Sequence, residues 1–375
     1  MGTWRSKTRQ ILVVLVALTI SGGGLTAAHA AEPLKGDVDE RPQSVVEQLF
    51  QERAKLLVEG QNSRSGGDNR SAGTSIDEAF DQQIREYRRQ LEAEGEVYVS
   101  SRTKLEIADQ VLTDDGALHL SVTETTYLTL ADAGTESGYS ADHELVLIQG
   151  DDSQWMISED IQLEPTGLLP LSIAEKYVDE SSGYWSQEEI DDVAVDAPEA
   201  AIDRPEAQAQ ARDTKALGRA GYNYSAMSIY LEKYWSKYNS AYRNFASKGG
   251  DCTNFVSQAL RAGGWKDKPG LYTNSAYWWY NSANQARAWT AVEYWASFAR
   301  SSGRTTALKN VWDLRVGDVL QIKPKGGNTK IHTMMVSYFK NGVPYFTYHT
   351  SDRYRRSMNQ VLQDWKGATF YAYRT

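Results

Sequence analysis

Cysteine is nearly absent from this chain, which has one in 375 residues. A single cysteine cannot form an intramolecular disulfide, so the domains must be held together by their own hydrophobic cores. In an exported chain, a leftover thiol indicates pairing with another molecule or a reactive role. Because paired cysteines at zinc-ligand spacing are also missing, the sequence predicts neither a metal site nor a cofactor.

Long apolar runs are equally scarce. The run Ile11–Ile20 has ten residues, whereas a helix needs about twenty to cross a bilayer. It follows three basic residues and precedes the small-residue site Ala28–Ala30, a pattern typical of a cleavable secretory signal peptide. We therefore expect residues 1–30 to be a signal peptide, the mature protein to be secreted or wall-associated, and no stable membrane span to remain. A retained anchor is the alternative.

Acidic side chains are scarce in the C-terminal part of the chain. Residues 219–375 carry 22 basic and 8 acidic side chains, a net charge of +14, whereas the remainder of the chain carries −23. An exported basic domain favours anionic partners, and the anionic polymers of a bacterial envelope are the expected class. No nucleic-acid-binding motif accompanies the charge, so nucleic acid is not predicted as a partner.

The chain divides into two domains and a connecting segment. Residues 42–165 show helical spacing at Val45–Glu59 and Thr74–Glu94, followed by four strand-like runs. This order predicts a small accessory α+β domain and resembles the nuclear-transport-factor-2-like (NTF2-like) fold. Residues 166–218 are acidic and rich in alanine and proline, which predicts a flexible linker before a catalytic domain at 219–375.

The segment GGDCTNFVSQALRAGGW, Gly249–Trp265, predicts a helix that begins at the cysteine. Asp251 is a suitable N-cap, and apolar residues follow at helical spacing until Gly263. Cys252 then lies in the first turn, where the helix dipole stabilises a thiolate and lowers the thiol pKa. We expect Cys252 to be a nucleophile; the alternative is a small buried apolar residue.

Two histidines follow on strand-like runs between residues 317 and 350. On the second run, His332 shares one face with Met334 by the period-two alternation of strands. If the Cys252 helix packs on that face, His332 can act as general base and then as general acid. His349 falls on the next strand, where it is placed to orient the ring of His332. Each histidine has the alternative role of a core or turn residue.

These segments, with IHTMMVSY and YHTSDR, resemble the amidase-domain family, a branch of the NlpC and CHAP group of papain-like cysteine peptidases. The resemblance covers residues 219–375 and implies a papain-like α+β fold, with the cysteine on a helix packed on an antiparallel sheet. It also implies hydrolysis of an amide bond within cell-wall peptides. Family members often carry a second cysteine where this chain has Ala259. Their third catalytic group varies, so nearby Asn and Asp residues compete with His349.

Together these features predict a secreted cysteine amidase or peptidase that cleaves peptidoglycan-type peptides through a thioester on Cys252. Three alternatives stay open. They are a non-catalytic wall-binding protein on the same scaffold, a transacylase that uses the same residues, and a secreted effector.

Overall fold

The computed structural model describes residues 42–58, 78–131, 134–151, 153–162, 197–205, 221–246 and 250–375. These residues all belong to one compact unit. The predicted signal peptide lies outside the described residues, as does most of the predicted linker.

The N-terminal part consists of two helices and an antiparallel meander, in the predicted order. Its elements are α1 (Pro42–Leu56), α2 (Glu78–Ala93), β1 (Tyr98–Leu112), β2 (Leu118–Leu130), β3 (Glu136–Gln149) and β4 (Trp155–Gln162). Helix α1 buries Val46, Leu49 and Phe50, which lie on one helical face, against Leu145 and Leu147 of β3.

The C-terminal part alternates helices with short strands. Its elements are α3 (Tyr224–Tyr234), α4 (Cys252–Ala262), α5 (Arg287–Thr290), α6 (Val292–Ser301), β5 (Thr306–Leu308), β6 (Val319–Lys323), β7 (His332–Lys340), β8 (Val343–Tyr348), β9 (Arg353–Ser357), α7 (Met358–Asp364) and β10 (Thr369–Arg374). The predicted Cys252 helix and the three predicted strands are confirmed as α4, β6, β7 and β8. The α+β fold class is confirmed as well.

One antiparallel sheet runs through both parts, in the order β1-β2-β3-β9-β8-β7-β6-β10-β5, with β4 also paired to β3. The two parts meet where β3 pairs with β9, through Gly138 opposite Tyr354 and Tyr139 opposite Arg353. A Cβ at Gly138 would lie 2.7 Å from the carbonyl oxygen of Thr126. Thr126 belongs to β2, so this glycine permits the close approach of β3 to β2. The predicted accessory and catalytic domains share a sheet through the pairing of β3 with β9.

Two cores lie on opposite faces of the C-terminal sheet. Helices α4 and α6 cover one face, where Val319 and Met335 point. Helix α7 covers the other face, where Met334 and Trp365 lie in a second core. Adjacent residues of β7 therefore face different helices, and this alternation decides which side chains can meet Cys252.

Buried polar contacts join α7 to the accessory part. Arg356 binds Asp364 at 2.7 and 2.6 Å and also donates to the hydroxyl of Tyr87 on α2. Ser357, the N-cap of α7, donates to Glu96. Because these groups are buried from water in both parts, separating the parts would leave several of them without partners.

Residues 197–205 fall within the predicted linker but pack on the C-terminal part. The N–H of Ala200 donates to the carbonyl of Phe370 at 2.8 Å, and the N–H of Val311 donates to the carbonyl of Ala201 at 3.0 Å. Trp312 Nε1 donates to the carbonyl of Ile202 at 2.7 Å. These residues of the predicted flexible linker are therefore held on the C-terminal part by hydrogen bonds.

A buried ionic cluster lies beneath α1. His143 is fully buried, with Nδ1 2.8 Å from Asp160 Oδ1 and Nε2 3.4 Å from Glu124 Oε2. Arg53 Nη1 lies 2.5 Å from Asp160 Oδ2. Burial lowers the pKa of His143, but the hydrogen bonds and charges of Asp160 and Glu124 outweigh burial and raise this pKa to about 9. His143 is therefore a cation at neutral pH.

We expect the free energy of unfolding to fall as the pH rises from about 6.5 to 9. A folded-state pKa of about 9 exceeds the ordinary value of about 6.5, so the folded state holds the proton more tightly. The contribution of His143 to the free energy of unfolding is complete below pH 6.5 and is lost above pH 9. It amounts to about 3 kcal/mol, at 1.36 kcal/mol per pKa unit. Urea unfolding at stepped pH measures it. His119→Gln, a change at an exposed histidine, should leave the profile unaltered, and a flat wild-type profile would contradict the assignment.

Candidate active site around Cys252

Helix α4 places Cys252 at its first position. Phe255, Val256 and Ala259 are fully buried and fix the helix on the sheet. The thiol follows the N-cap Asp251, and Cys252 is 5% exposed. The predicted start of the helix is confirmed.

Asp251 connects three segments around this helix end. Its Oδ1 accepts from the backbone N–H of Phe245 at 2.9 Å and from Asn254 Nδ2 at 2.8 Å. Its own N–H donates to Thr350 Oγ1 at 2.8 Å. The side chain makes no capping bond to the helix backbone. Asp251 therefore ties the preceding loop and the segment after β8 to α4.

His349 completes this arrangement as a buried cation. Its Nδ1 lies 2.7 Å from Asp251 Oδ2, and its Nε2 lies 2.8 Å from the carbonyl oxygen of Tyr234. Both partners accept hydrogen bonds, so both ring nitrogens donate and the ring is an imidazolium. Burial lowers the pKa of His349, but the charges of Asp352 and Asp251 and the two hydrogen bonds outweigh burial and raise it.

Aromatic rings enclose His349 on both faces. The ring of Phe255 stacks on it at a centroid distance of 3.6 Å, and the ring of Tyr238 stacks at 4.0 Å. Because Phe255 lies one turn after Cys252 on α4, the imidazolium is held against the same helix end as the thiol.

The thiol is buried and only weakly hydrogen-bonded. Cys252 Sγ lies 3.8 Å from Thr253 Oγ1, and the backbone N–H of Thr333 on β7 also bonds to the sulfur. Burial raises the pKa of Cys252, and these two neighbours lower it by less. The depressed pKa expected from the helix terminus is thus not found in this conformation, because loss of solvent outweighs the dipole.

His332 lies on the other face of the sheet. Its ring stacks on Trp365 at a centroid distance of 5.8 Å and meets Tyr348 edge-on at 5.0 Å. Burial lowers the pKa of His332 to about 3, so the ring is neutral. Its Nε2 has no hydrogen-bond partner within the part of the chain that the structure describes.

The expectation that His332 faces the Cys252 helix is not met. Thr333 faces α4 instead, with its Oγ1 2.9 Å from Thr253 Oγ1. His332 shares its face with Met334 as predicted, but α4 packs on the opposite face. No described contact joins His349 to His332 either. In the structure, Cys252, Asp251 and His349 therefore lie close together, and His332 lies on the other face of the sheet.

The sequence pattern missed two contributors to the site. Asp251 was interpreted as a helix cap, although a carboxylate directly before the cysteine can also bind a histidine. Thr333 gave no signal, because its contribution to the sulfur is a backbone N–H.

Within the described ranges, no three His, Cys, Asp or Glu side chains are grouped to hold a metal ion. No helix in those ranges has both the length and the apolar character of a membrane span.

The candidate site lies within a region that matches a known protein family. Residues 221–373 match the family described as "Putative amidase domain". "Uncharacterized protein YhbB" of Bacillus subtilis (strain 168) is 31% identical over 146 residues, which cover 37% of this chain and 45% of that protein. The chain thus spans less than half the length of this curated relative. No solved structure matches significantly.

The matched region begins just before α3 and ends within β10, so it includes Cys252, Asp251, His349 and His332. The resemblance predicted from the sequence is confirmed. The match of residues 221–373 to the putative amidase-domain family supports an amidase-type hydrolase in general.

Proposed function

We propose that this protein is a secreted cysteine amidase or peptidase that cleaves peptides of the bacterial cell wall, with Cys252 as nucleophile. One observation carries the proposal: the sole cysteine of the chain is the first residue of a helix inside the amidase-domain match. A helix N-terminus is a favourable place for a thiolate, because its N–H groups stabilise negative charge.

The described conformation corresponds to a resting state in this proposal. The thiol is buried, its pKa is raised, and neither histidine is hydrogen-bonded to it in the described contacts. His349 cannot serve as the base here, since both of its ring nitrogens already donate. It holds Asp251, and thereby the helix end, in place.

His332 is the proposed base because Nε2 of its neutral ring has no hydrogen-bond partner among the described residues and the backbone of its neighbour Thr333 contacts the sulfur. The N–H of Thr333 bonds to Cys252 Sγ, so the His332 backbone lies beside the thiol. His332 is the first residue of β7. Because the ring lies on the other face of the sheet, catalysis in this proposal requires a backbone change at the start of β7 that brings the ring from Trp365 to the thiol.

The chemistry then follows the thioester route. His332 takes the thiol proton, the thiolate attacks the amide carbon, and backbone N–H groups stabilise the oxyanion. The ring returns its proton to the leaving amine as the C–N bond breaks, which leaves a thioester. Water hydrolyses the thioester, releases the carboxylate and regenerates the thiol.

Digestion of purified cell-wall material tests the function. Wild-type protein and Cys252→Ala are incubated with the wall, and the released fragments are identified by mass spectrometry. The proposal requires fragments with new amine and carboxylate ends from the wild type alone. Wall binding by both proteins without any release favours the non-catalytic alternative, and transfer of the acyl group to an added amine favours a transacylase.

The role of His332 is tested by comparison with a neighbour on the same face. His332→Ala and Met334→Ala each remove a fully buried side chain from β7 and should destabilise the fold to a similar degree. Only His332→Ala should also lower kcat, by about 10²- to 10⁴-fold, the usual contribution of a general acid–base residue. Equal losses of activity in the two variants at a temperature where both are folded would make His332 a core residue.

A further inference from the structure

A buried relay of three polar side chains, Gln321, Thr333 and Thr253, leads from the sheet to the thiol. Thr253 Oγ1 lies 3.8 Å from Cys252 Sγ and 2.9 Å from Thr333 Oγ1 on β7. Gln321 pairs with Thr333 from β6 and donates from Nε2 to its Oγ1 at 3.2 Å. All three side chains belong to residues that are 0% exposed. The relay therefore connects β6 and β7 with the first turn of α4, away from solvent.

A backbone carbonyl fixes the orientation of the Gln321 amide. Its Nε2 lies 3.0 Å from the carbonyl oxygen of Val292, the first residue of α6. Because a carbonyl oxygen only accepts hydrogen bonds, the amide atom that faces it is the NH2 group and not the oxygen. The second N–H of that group then donates to Thr333 Oγ1.

The direction of the two hydroxyl groups follows from this start. Thr333 Oγ1 accepts the amide N–H, so its own proton is available for Thr253 Oγ1, its other described side-chain partner. The reverse orientation would leave the Thr333 proton without an acceptor among the described residues, which is costly for a buried group. The proton of Thr253 is then directed to Cys252 Sγ, where a thiolate, which only accepts, gains a hydrogen bond.

Gln321 uses only the nitrogen of its amide. Its Oε1 has no hydrogen-bond partner within the residues that the structure describes, although the side chain is fully buried. An unpaired buried acceptor lowers the stability of the fold, and an apolar residue of similar size would avoid that loss. The N–H groups that bind Val292 and Thr333 are therefore what a glutamine contributes at this position.

We propose that Gln321, Thr333 and Thr253 are positioning residues of the candidate active site, which orient the hydroxyl of Thr253 as a hydrogen-bond donor to Cys252 Sγ. Burial raises the pKa of Cys252, and the hydroxyl of Thr253 opposes that rise. A donor to the charged form favours that form, so the relay lets the thiolate form at a lower pH than burial alone would allow. The value of the relay for catalysis rests on the proposed function, whereas its effect on the ionisation of the thiol does not.

An NMR titration of the thiol tests the relay without a substrate. The full-length protein is labelled with cysteine that carries carbon-13 at Cβ, and its single cysteine gives one signal whose shift reports ionisation. Thr253→Val should raise the thiol pKa by at least about 1, because it removes a hydrogen bond to a charged group. Thr333→Val should raise this pKa as well, although it keeps the backbone N–H that bonds to the sulfur. Thr333→Ser, which retains the hydroxyl, should restore the wild-type value.

A double-mutant cycle separates the relay from general effects on packing. Because the Thr333 hydroxyl acts only through Thr253, Thr333→Val should not raise the thiol pKa further in a Thr253→Val background. Gln321→Met keeps a side chain of similar size and removes the donor that sets the direction of the relay. It should raise the thiol pKa in the wild-type background and leave it unchanged in the Thr253→Val background. Each variant is titrated below its own melting temperature.

Thr347→Val is the matched control, since Thr347 is a fully buried threonine on β8 whose Oγ1 lies 2.7 Å from the hydroxyl of Ser337. It should leave the thiol pKa unchanged. The relay is overturned by an unchanged pKa in Thr253→Val, Thr333→Val or Gln321→Met, by a shift that Thr333→Ser does not reverse, or by additive shifts in the cycle. If the relay variants behave as expected while the wild-type protein cleaves no amide, the proposed function fails and the relay stands.

Discussion

Replacing Cys252 with alanine is expected to lower amide hydrolysis by at least about 10³-fold, because removal of a catalytic nucleophile leaves only binding and oxyanion stabilisation. The chain should remain folded. The side chain is small, and its described polar contacts come from the hydroxyl and backbone of Thr253 and the backbone of Thr333. Initial rates on a wall-peptide substrate, with circular dichroism melts of both proteins, measure the two effects together.

Ser257→Ala is the matched control for this variant. Ser257 lies on the same helix, is fully buried, and accepts a hydrogen bond from Trp278 Nε1 at 3.0 Å. Its loss should destabilise the protein more than Cys252→Ala does and should change the rate by only a few-fold. A Cys252→Ala protein that hydrolyses the peptide as fast as Ser257→Ala would exclude the thiol mechanism.

Replacing Asp251 with alanine is expected to give the largest loss of stability, about 3–5 kcal/mol, because it leaves a buried charge without its partner. The Asp251 and His349 side chains are each 1% exposed, and their ion pair spans 2.7 Å. The variant also leaves the N–H of Phe245 without its acceptor and removes one of the two acceptors of Asn254 Nδ2, which also donates to the carbonyl of Arg243 at 2.9 Å. Urea unfolding at pH 7 measures the change in free energy.

A double-mutant cycle separates the ion pair from the other contacts of Asp251. Adding His349→Gln to Asp251→Ala removes the unpaired cation, so the double variant should be more stable than the sum of the single changes predicts. Asp267→Ala is the control, because Asp267 pairs with Arg261 at the surface, at 38% and 26% exposure. It should cost less than about 1 kcal/mol. Strict additivity at Asp251 and His349 would mean that the pair is not coupled.

Much of the fold could be predicted from local patterns. Helix α4 was predictable because an N-cap residue, helical spacing and two glycines mark its ends. Strand β2 was predictable as a strand-like run, and the structure shows its residues alternating between buried and partly exposed along most of its length. The pairing of β3 with β9 was not, since it joins residues more than 200 positions apart through the pairs Gly138–Tyr354 and Tyr139–Arg353 alone. Sequence spacing carries no information about such a contact.

The site shows the same limit. Alternation correctly placed His332 and Met334 on one face of β7, but it cannot say which helix covers that face. The position of Cys252 at a helix terminus was correct, whereas its pKa depends on burial, which only the packed structure reveals. His349 was predicted to orient another histidine, and the structure instead pairs it with Asp251.

The most direct test of the central claim is labelling of wild-type protein with a peptidyl chloromethyl ketone that mimics the acyl side of the substrate. The account predicts one label per chain on Cys252, loss of activity in proportion to labelling, and faster reaction than with iodoacetamide, because the free thiol is buried and its pKa is raised. Full hydrolytic activity in a protein whose Cys252 is completely labelled would contradict the account.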